Sequence, residues 1–181
     1  FARWGLDEAN QFNGNFDGCG YTVYGLYLSY DTENVGGARM GLFPVIGAYA
    51  VIKSVKISQA VFCSDYSAGS LVGETHMNVD DLHQLSEISG CYADETVIIK
   101  GMRAGGIVGA GSLSVDIDNC YFTGSLSATC LDDDGKTPIS AGIACYFWAP
   151  GNNIVNSYSI DYPLYRVSGT ANFNIRDCYS N

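Results

Sequence analysis

The chain has 181 residues, among them 22 Gly and 13 Tyr, with 15% charged residues and a formal net charge of -10. That length suffices for one domain with a real core, and so many glycines without a collagen period indicate frequent turns rather than long helices. Nine Lys and Arg against 19 Asp and Glu argue against nucleic acid as a partner, because phosphate binding needs clustered cations. No apolar run is long enough to cross a membrane, so no membrane insertion is expected. The start at Phe1, without Met or a signal peptide, leads us to expect a removed leader or an excised piece of a longer protein.

Along the chain one six-residue word occurs six times. It reads VYGLYL from Val23, IKSVKI from Ile52, ISGCYA from Ile88, IDNCYF from Ile117, IVNSYS from Ile154 and IRDCYS from Ile175. The starts are 29, 36, 29, 37 and 21 residues apart. The first position is always Val or Ile, which suit a buried strand. The third is Gly25, Ser54, Gly90, Asn119, Asn156 or Asp177, residues that tolerate or form turns, so the strand bends there. The fourth is Leu26, Val55, Cys91, Cys120, Ser157 or Cys178, small or medium and expected to point inward. The fifth is Tyr27, Lys56, Tyr92, Tyr121, Tyr158 or Tyr179, which strand alternation turns outward.

A second word precedes four copies: GLF from Gly41, GSLVG from Gly69, GGIVG from Gly105 and AGIAC from Ala141. It reads as a short buried strand bounded by glycines, where backbones approach closely. Two or three short strands per repeat fit one solenoid coil each, with neighbours burying the apolar face that no single repeat can bury. Residues 31–40 and 129–139 are polar and turn-rich and read as exposed insertions. The insertion at 74–87 places Val79, Leu82 and Leu85 at helical spacing, with Asn78 as a candidate N-cap, so a short helix is expected there.

The stretch 104–128 resembles a GLUG-motif repeat, through Gly105-Gly106-Ile107-Val108-Gly109, Ile117, Asn119-Cys120-Tyr121 and Thr123-Gly124. The segments 12–28 and 41–57 are similar to the coils that accompany such repeats, and the likeness covers residues 12–181. It weakens at the last coil, where no glycine word precedes Ile175. The resemblance implies a right-handed parallel β-helix exported to the bacterial cell surface, commonly as a module of large adhesin-like proteins. It carries no shared catalytic residue. The expectation is therefore an all-β chain, one domain over residues 1–181, with about six coils and loop or short-helix insertions.

Among candidate sites, the outward file Tyr27, Tyr92, Tyr121, Tyr158 and Tyr179 is the sharpest, as a ligand-binding stripe for glycan or protein. The plainer reading is that the rings only stabilise neighbouring coils. Asp132, Asp133 and Asp134 before Gly135 lack the alternating ligands of a calcium loop. His76 and His83 have no metal-ligand spacing, so no metal and no cofactor is expected. Asp116 and Asp118 could share one face as a carboxylate pair, yet adjacent coils offer nothing equivalent. Cys19, Cys63, Cys130 and Cys145 have no His near them in sequence, so a thiol nucleophile is unsupported. The favoured reading is a non-catalytic structural or adhesive module whose partner is a host or matrix glycan or protein. The alternatives are a carbohydrate-active β-helix lyase or glycosidase and a passive spacer.

Overall fold

Val or Ile followed two residues later by a residue that accepts left-handed backbone makes short strands that turn sharply. The computed structural model describes residues 7–29, 38–77, 85–128, 138–167 and 171–181, which form 25 strands and no helix. Coil 1 holds β1 (Asn15–Asp17), β2 (Thr22–Tyr24), β3 (Tyr27–Ser29), β4 (Arg39–Met40) and β5 (Phe43–Ile46). Coil 2 holds β6 (Val51–Lys53), β7 (Lys56–Ser58), β8 (Val61–Cys63), β9 (Ser67–Gly69) and β10 (Val72–Thr75). Coil 3 holds β11 (Leu85–Ser89), β12 (Tyr92–Ala93), β13 (Ile98–Gly101), β14 (Arg103–Gly105) and β15 (Val108–Gly111). Coil 4 holds β16 (Ser114–Asp118), β17 (Tyr121–Phe122), β18 (Ser125–Ala128), β19 (Ile139–Ala141) and β20 (Ala144–Phe147). Coil 5 is shorter, with β21 (Asn152–Val155), β22 (Tyr158–Ser159) and β23 (Tyr165–Val167), and coil 6 has β24 (Phe173–Arg176) and β25 (Tyr179–Ser180).

Corresponding strands pair in parallel and in register, giving five faces. Face I carries the first strand of every coil and face II the second. Faces III and IV have four strands each, and face V has five, because coil 5 passes from face II directly to face V. The chain is a parallel β-helix. A full coil thus has five strands, where two or three were expected. The difference lies in faces III and IV, whose strands are only two to four residues long and escape a search for apolar runs.

On face I, Phe16, Ile52, Ile88, Ile117, Ile154 and Ile175 stack directly on one another. The four central isoleucines of this file are fully buried, worth about 1.5–3 kcal/mol each by area. Next comes the bend between faces I and II, where Ser54, Gly90, Asn119, Asn156 and Asp177 all have positive φ, between 49° and 62°. Position four then turns inward with a purpose beyond filling space. The Cys91, Cys120 and Cys178 thiols donate to the carbonyls of Ser89, Asp118 and Arg176, at 3.3, 3.3 and 3.1 Å. Ser157 does the same to Val155 at 2.7 Å. A small side chain with an acidic hydrogen therefore suits this corner.

The first copy of the word is the exception. Val23 stacks on Ile57, the last residue of its word, rather than on Ile52. Coil 1 begins at Phe16, 36 residues before Ile52, and its corner is longer, with Cys19 at φ 50° and Gly20 at φ 74°. Gly25, at φ 73°, serves the next corner, beside Gln59 at φ 49°. Two consecutive left-handed corners in coil 1 thus produce a string that imitates the word one face too late.

The expected insertions shrink at their edges. Arg39–Met40 is strand, Glu74–Thr75 ends one strand, Leu85–Ser89 forms another, and Ile139 begins a third. Leu85 is therefore a strand residue, which overturns a helix running through it. Residues 31–37, 78–84 and 129–137 lie outside the described residues, and with them Asn78, Val79, Leu82, His83, Cys130 and Asp132 to Asp134.

Burial governs the thiols. Desolvation pushes Cys145 up to about 12 and Cys120 well above its ordinary value, whereas the neighbouring Cys120 side chain lowers Cys91. Only the thiolate reacts with alkylating agents. Iodoacetamide at about pH 8 will therefore modify exposed Cys19 and spare Cys120 and Cys145 until denaturant is added. Peptide mass mapping reads this, and labelling of Cys120 in the folded chain would contradict the inner file.

Candidate functional site: a tyrosine and asparagine groove

The residue after the inward position faces out. On face II, Tyr92, Tyr121, Tyr158 and Tyr179 lie in register, with Lys56 beneath Tyr92. Tyr92 and Tyr121 meet edge to face at 6.4 Å between ring centroids, and Tyr121 and Tyr158 lie at 4.6 Å with planes 31° apart. Tyr27 is not part of this file. It stacks on Val61 on face III, a consequence of the shifted first word. The stripe is therefore four tyrosines long, running from the middle coil to the last.

Beside the rings stand the bend residues, because a left-handed residue between two strands projects its side chain from the corner. Asn119, Asn156 and Asp177, with Tyr121, Ser157, Tyr158 and Tyr179, line an open groove of about 400 Å³. The Tyr121 hydroxyl donates to Asn119 Oδ1. Tyr92 and Thr123 hydroxyls lie 3.3 Å apart. Burial, then the neighbouring Tyr92 and Tyr121, pushes the Tyr158 hydroxyl up. Ring faces alternating with amide and carboxylate groups can stack on an apolar surface and bond hydroxyls at once. The sequence reading named the tyrosines but saw Asn119, Asn156 and Asp177 only as bend formers. Their alignment with the rings requires the coil register.

Asp116 and Asp118 do face outward on face I, but each is held by the coil above. Asn153 Nδ2 donates to Asp116 Oδ1, and Asn156 Nδ2 donates to Asp118 Oδ1 at 2.9 Å. Asn174 extends the ladder by donating to Asn153 Oδ1 at 3.0 Å. A carboxylate bonded this way is a rung between coils. Ser89 and Val155 flank Asp118 in its file, whereas Asp116 has one acidic neighbour in register, Glu87, and Asn153 on its other side.

His76 meets Glu74 and Glu8, and their candidate ligand atoms all lie within 4.8 Å of one another. Arg39 already occupies this cluster. Its Nε donates to Glu74 Oε2 at 2.7 Å and its guanidinium also pairs with Glu8. Glu74 is 2% exposed, so the guanidinium supplies the compensation a buried carboxylate requires. The cluster is an ion-pair network. Of the cysteines considered as nucleophiles, Cys145 is buried and Cys63 half-buried, and Cys19 is exposed.

These coils define a parallel β-solenoid carrying an aromatic and amide groove on one side. The chain matches no family model, no curated protein and no solved structure.

Proposed function

We propose that the chain is a non-catalytic binding module of an exported bacterial surface protein, and that its tyrosine groove receives a glycan. The observation that carries this reading is the groove itself. Its tyrosines present rings across successive coils, and Asn119, Asn156 and Asp177 alternate with them. Rings stack on the apolar faces of sugars, and amides bond their hydroxyls. The likeness of residues 104–128 to a GLUG-motif repeat supports the surface location. A polysaccharide-cleaving enzyme would need free carboxylates, and the amide rungs on Asp116 and Asp118 weigh against that alternative.

The test is a glycan array probed with the whole chain, followed by calorimetry on any hit. Replacing Tyr121 and Tyr158 together by Ala should weaken the interaction by about tenfold or more. Denaturation should shift by no more than about 1–2 kcal/mol, the worth of one half-buried ring pair between coils. Unaltered affinity in the double variant would remove the groove from the reading. A chain that binds no glycan overturns the glycan reading and leaves a protein ligand or a spacer role.

A further inference from the structure

The tyrosine groove has a period. From coil 2 onward each coil contributes one bend residue and one outward residue two positions later, and parallel register repeats that pair along the solenoid axis. The pairs are Ser54 with Lys56, Gly90 with Tyr92, Asn119 with Tyr121, Asn156 with Tyr158 and Asp177 with Tyr179. All five bend residues have positive φ, so all five stand at the same corner. Only coils 4, 5 and 6 combine a phenol with an amide or carboxylate. Those three pairs, with Ser157, line the groove, which holds one carboxylate and no cation. At coil 3 the phenol continues but Gly90 has no side chain, and at coil 2 the phenol gives way to Lys56.

Successive coils are about 4.8 Å apart. A sugar unit in an extended β-linked chain advances by nearly the same distance, so consecutive units meet consecutive rungs. An extended peptide advances about 3.3 Å per residue and falls out of step with the coils. A curved α-linked glucan turns away from the straight file. Amides and phenols both donate to and accept from sugar hydroxyls. Asn119 is already bonded to Tyr121 and Asn156 to Asp118, which fixes the direction of both amides before a ligand arrives. The Asp177 carboxylate only accepts, and with no cation in the lining it disfavours an acidic sugar.

We propose that the groove holds a linear, uncharged, β-linked glycan lying parallel to the solenoid axis, with three consecutive sugar units on coils 4, 5 and 6. This rests on the glycan reading above and adds to it the linkage, charge and length of the ligand. Asn119, Asn156 and Asp177 each bond one unit, and Gly90 ends the site at coil 3. A fourth unit there meets Tyr92 without an amide and gains little. Gly90→Asn should therefore lengthen the site. Asn already occupies this corner in the two following coils, and an added Cβ at Gly90 has its nearest neighbour 3.8 Å away.

The experiment is calorimetric titration of the whole chain with β-linked di-, tri- and tetrasaccharides of glucose, xylose, mannose and N-acetylglucosamine, beside maltotriose and trigalacturonate. At least one β-linked trimer should bind with a dissociation constant on the order of 1 mM or below. Its dimer should bind at least about fivefold more weakly, and its tetramer within about twofold of the trimer. Maltotriose and trigalacturonate should bind at least about tenfold more weakly than that trimer. Gly90→Asn should leave the trimer unchanged and tighten the tetramer by about threefold or more, the worth of one added hydrogen bond. Asn119→Gly, which keeps the bend, should reduce the trimer to the affinity of the dimer. Glycan binding without the step from two units to three overturns the inference and leaves the glycan reading standing. So does a preference for maltotriose or trigalacturonate, or a Gly90→Asn chain that gains nothing for the tetramer. Binding on no arm overturns both.

Discussion

Gly106→Ala will destabilise the chain by more than about 4 kcal/mol, a large share of the roughly 5–15 kcal/mol that keeps a domain folded. The added methyl carbon would sit 1.9 Å from the Gly142 carbonyl oxygen and 2.3 Å from Phe122 Cγ. One obstacle is backbone in the next coil and the other is a fully buried ring, so neither can yield. Gly105 is similarly confined, with Val108 O at 1.8 Å from an added Cβ. These glycines are required by space, since neither has positive φ. Gly90 is the opposite case. Its φ is 62° and its nearest neighbour to an added Cβ is 3.8 Å away. Asn119 and Asn156 occupy the same corner in later coils, so Gly90→Asn should cost under about 1 kcal/mol. Urea unfolding followed by circular dichroism compares the two. Equal midpoints would show that the glycine word is a matter of flexibility and not of contact.

The second large effect is expected at Phe122. The ring is fully buried, presses on Gly106 and Gly124, and lies 6.3 Å from Tyr162, which covers the core where coil 5 skips two faces. Truncation to Ala should cost about 3–5 kcal/mol, through lost burial and the cavity left behind. In a solenoid each coil is stabilised by its neighbours, so a defect in coil 4 uncouples both sides. Phe173 lies in coil 6 and is 8% exposed. Phe173→Ala should therefore fray the last coil and lower the main transition by less. Hydrogen exchange resolved along the chain distinguishes these outcomes. Equal losses across all coils in both variants would mean that the solenoid unfolds as one block.

Much of this arrangement was legible because it is local. A left-handed residue, an inward donor and an outward ring follow one another within three positions, and each leaves a mark in residue type. Ser54 to Asp177, Cys91 to Cys178 and Tyr92 to Tyr179 were read correctly from those marks alone. Tyr27 was misplaced by the same method. Its string satisfies the local rule at the wrong corner, and only pairing of Phe16 with Ile52 reveals the shift. The groove was half legible. Its rings announce themselves, whereas Asn119, Asn156 and Asp177 join them only once the coils are stacked.

Arg103 marks what local pattern cannot convey. In sequence it is an ordinary charged residue shortly before a glycine pair, and nothing there singles it out. Its burial arises because faces IV and V fold against each other. An added Cβ on Gly73 would meet Met40 N at 2.8 Å, and one on Gly109 would meet the Ala68 backbone at 2.8 Å. Tyr66 and Tyr146, from coils on either side, then close over the guanidinium. The sequence by itself determined which residues repeat, where the strands bend and which side chains turn inward, since these depend on backbone preference and the two-residue period of a strand. The tertiary structure alone decided which coil lies on which, how many strands complete a turn, and which outward side chains are covered. Those outcomes depend on contacts between residues some 20 to 40 positions apart, and no short word records them.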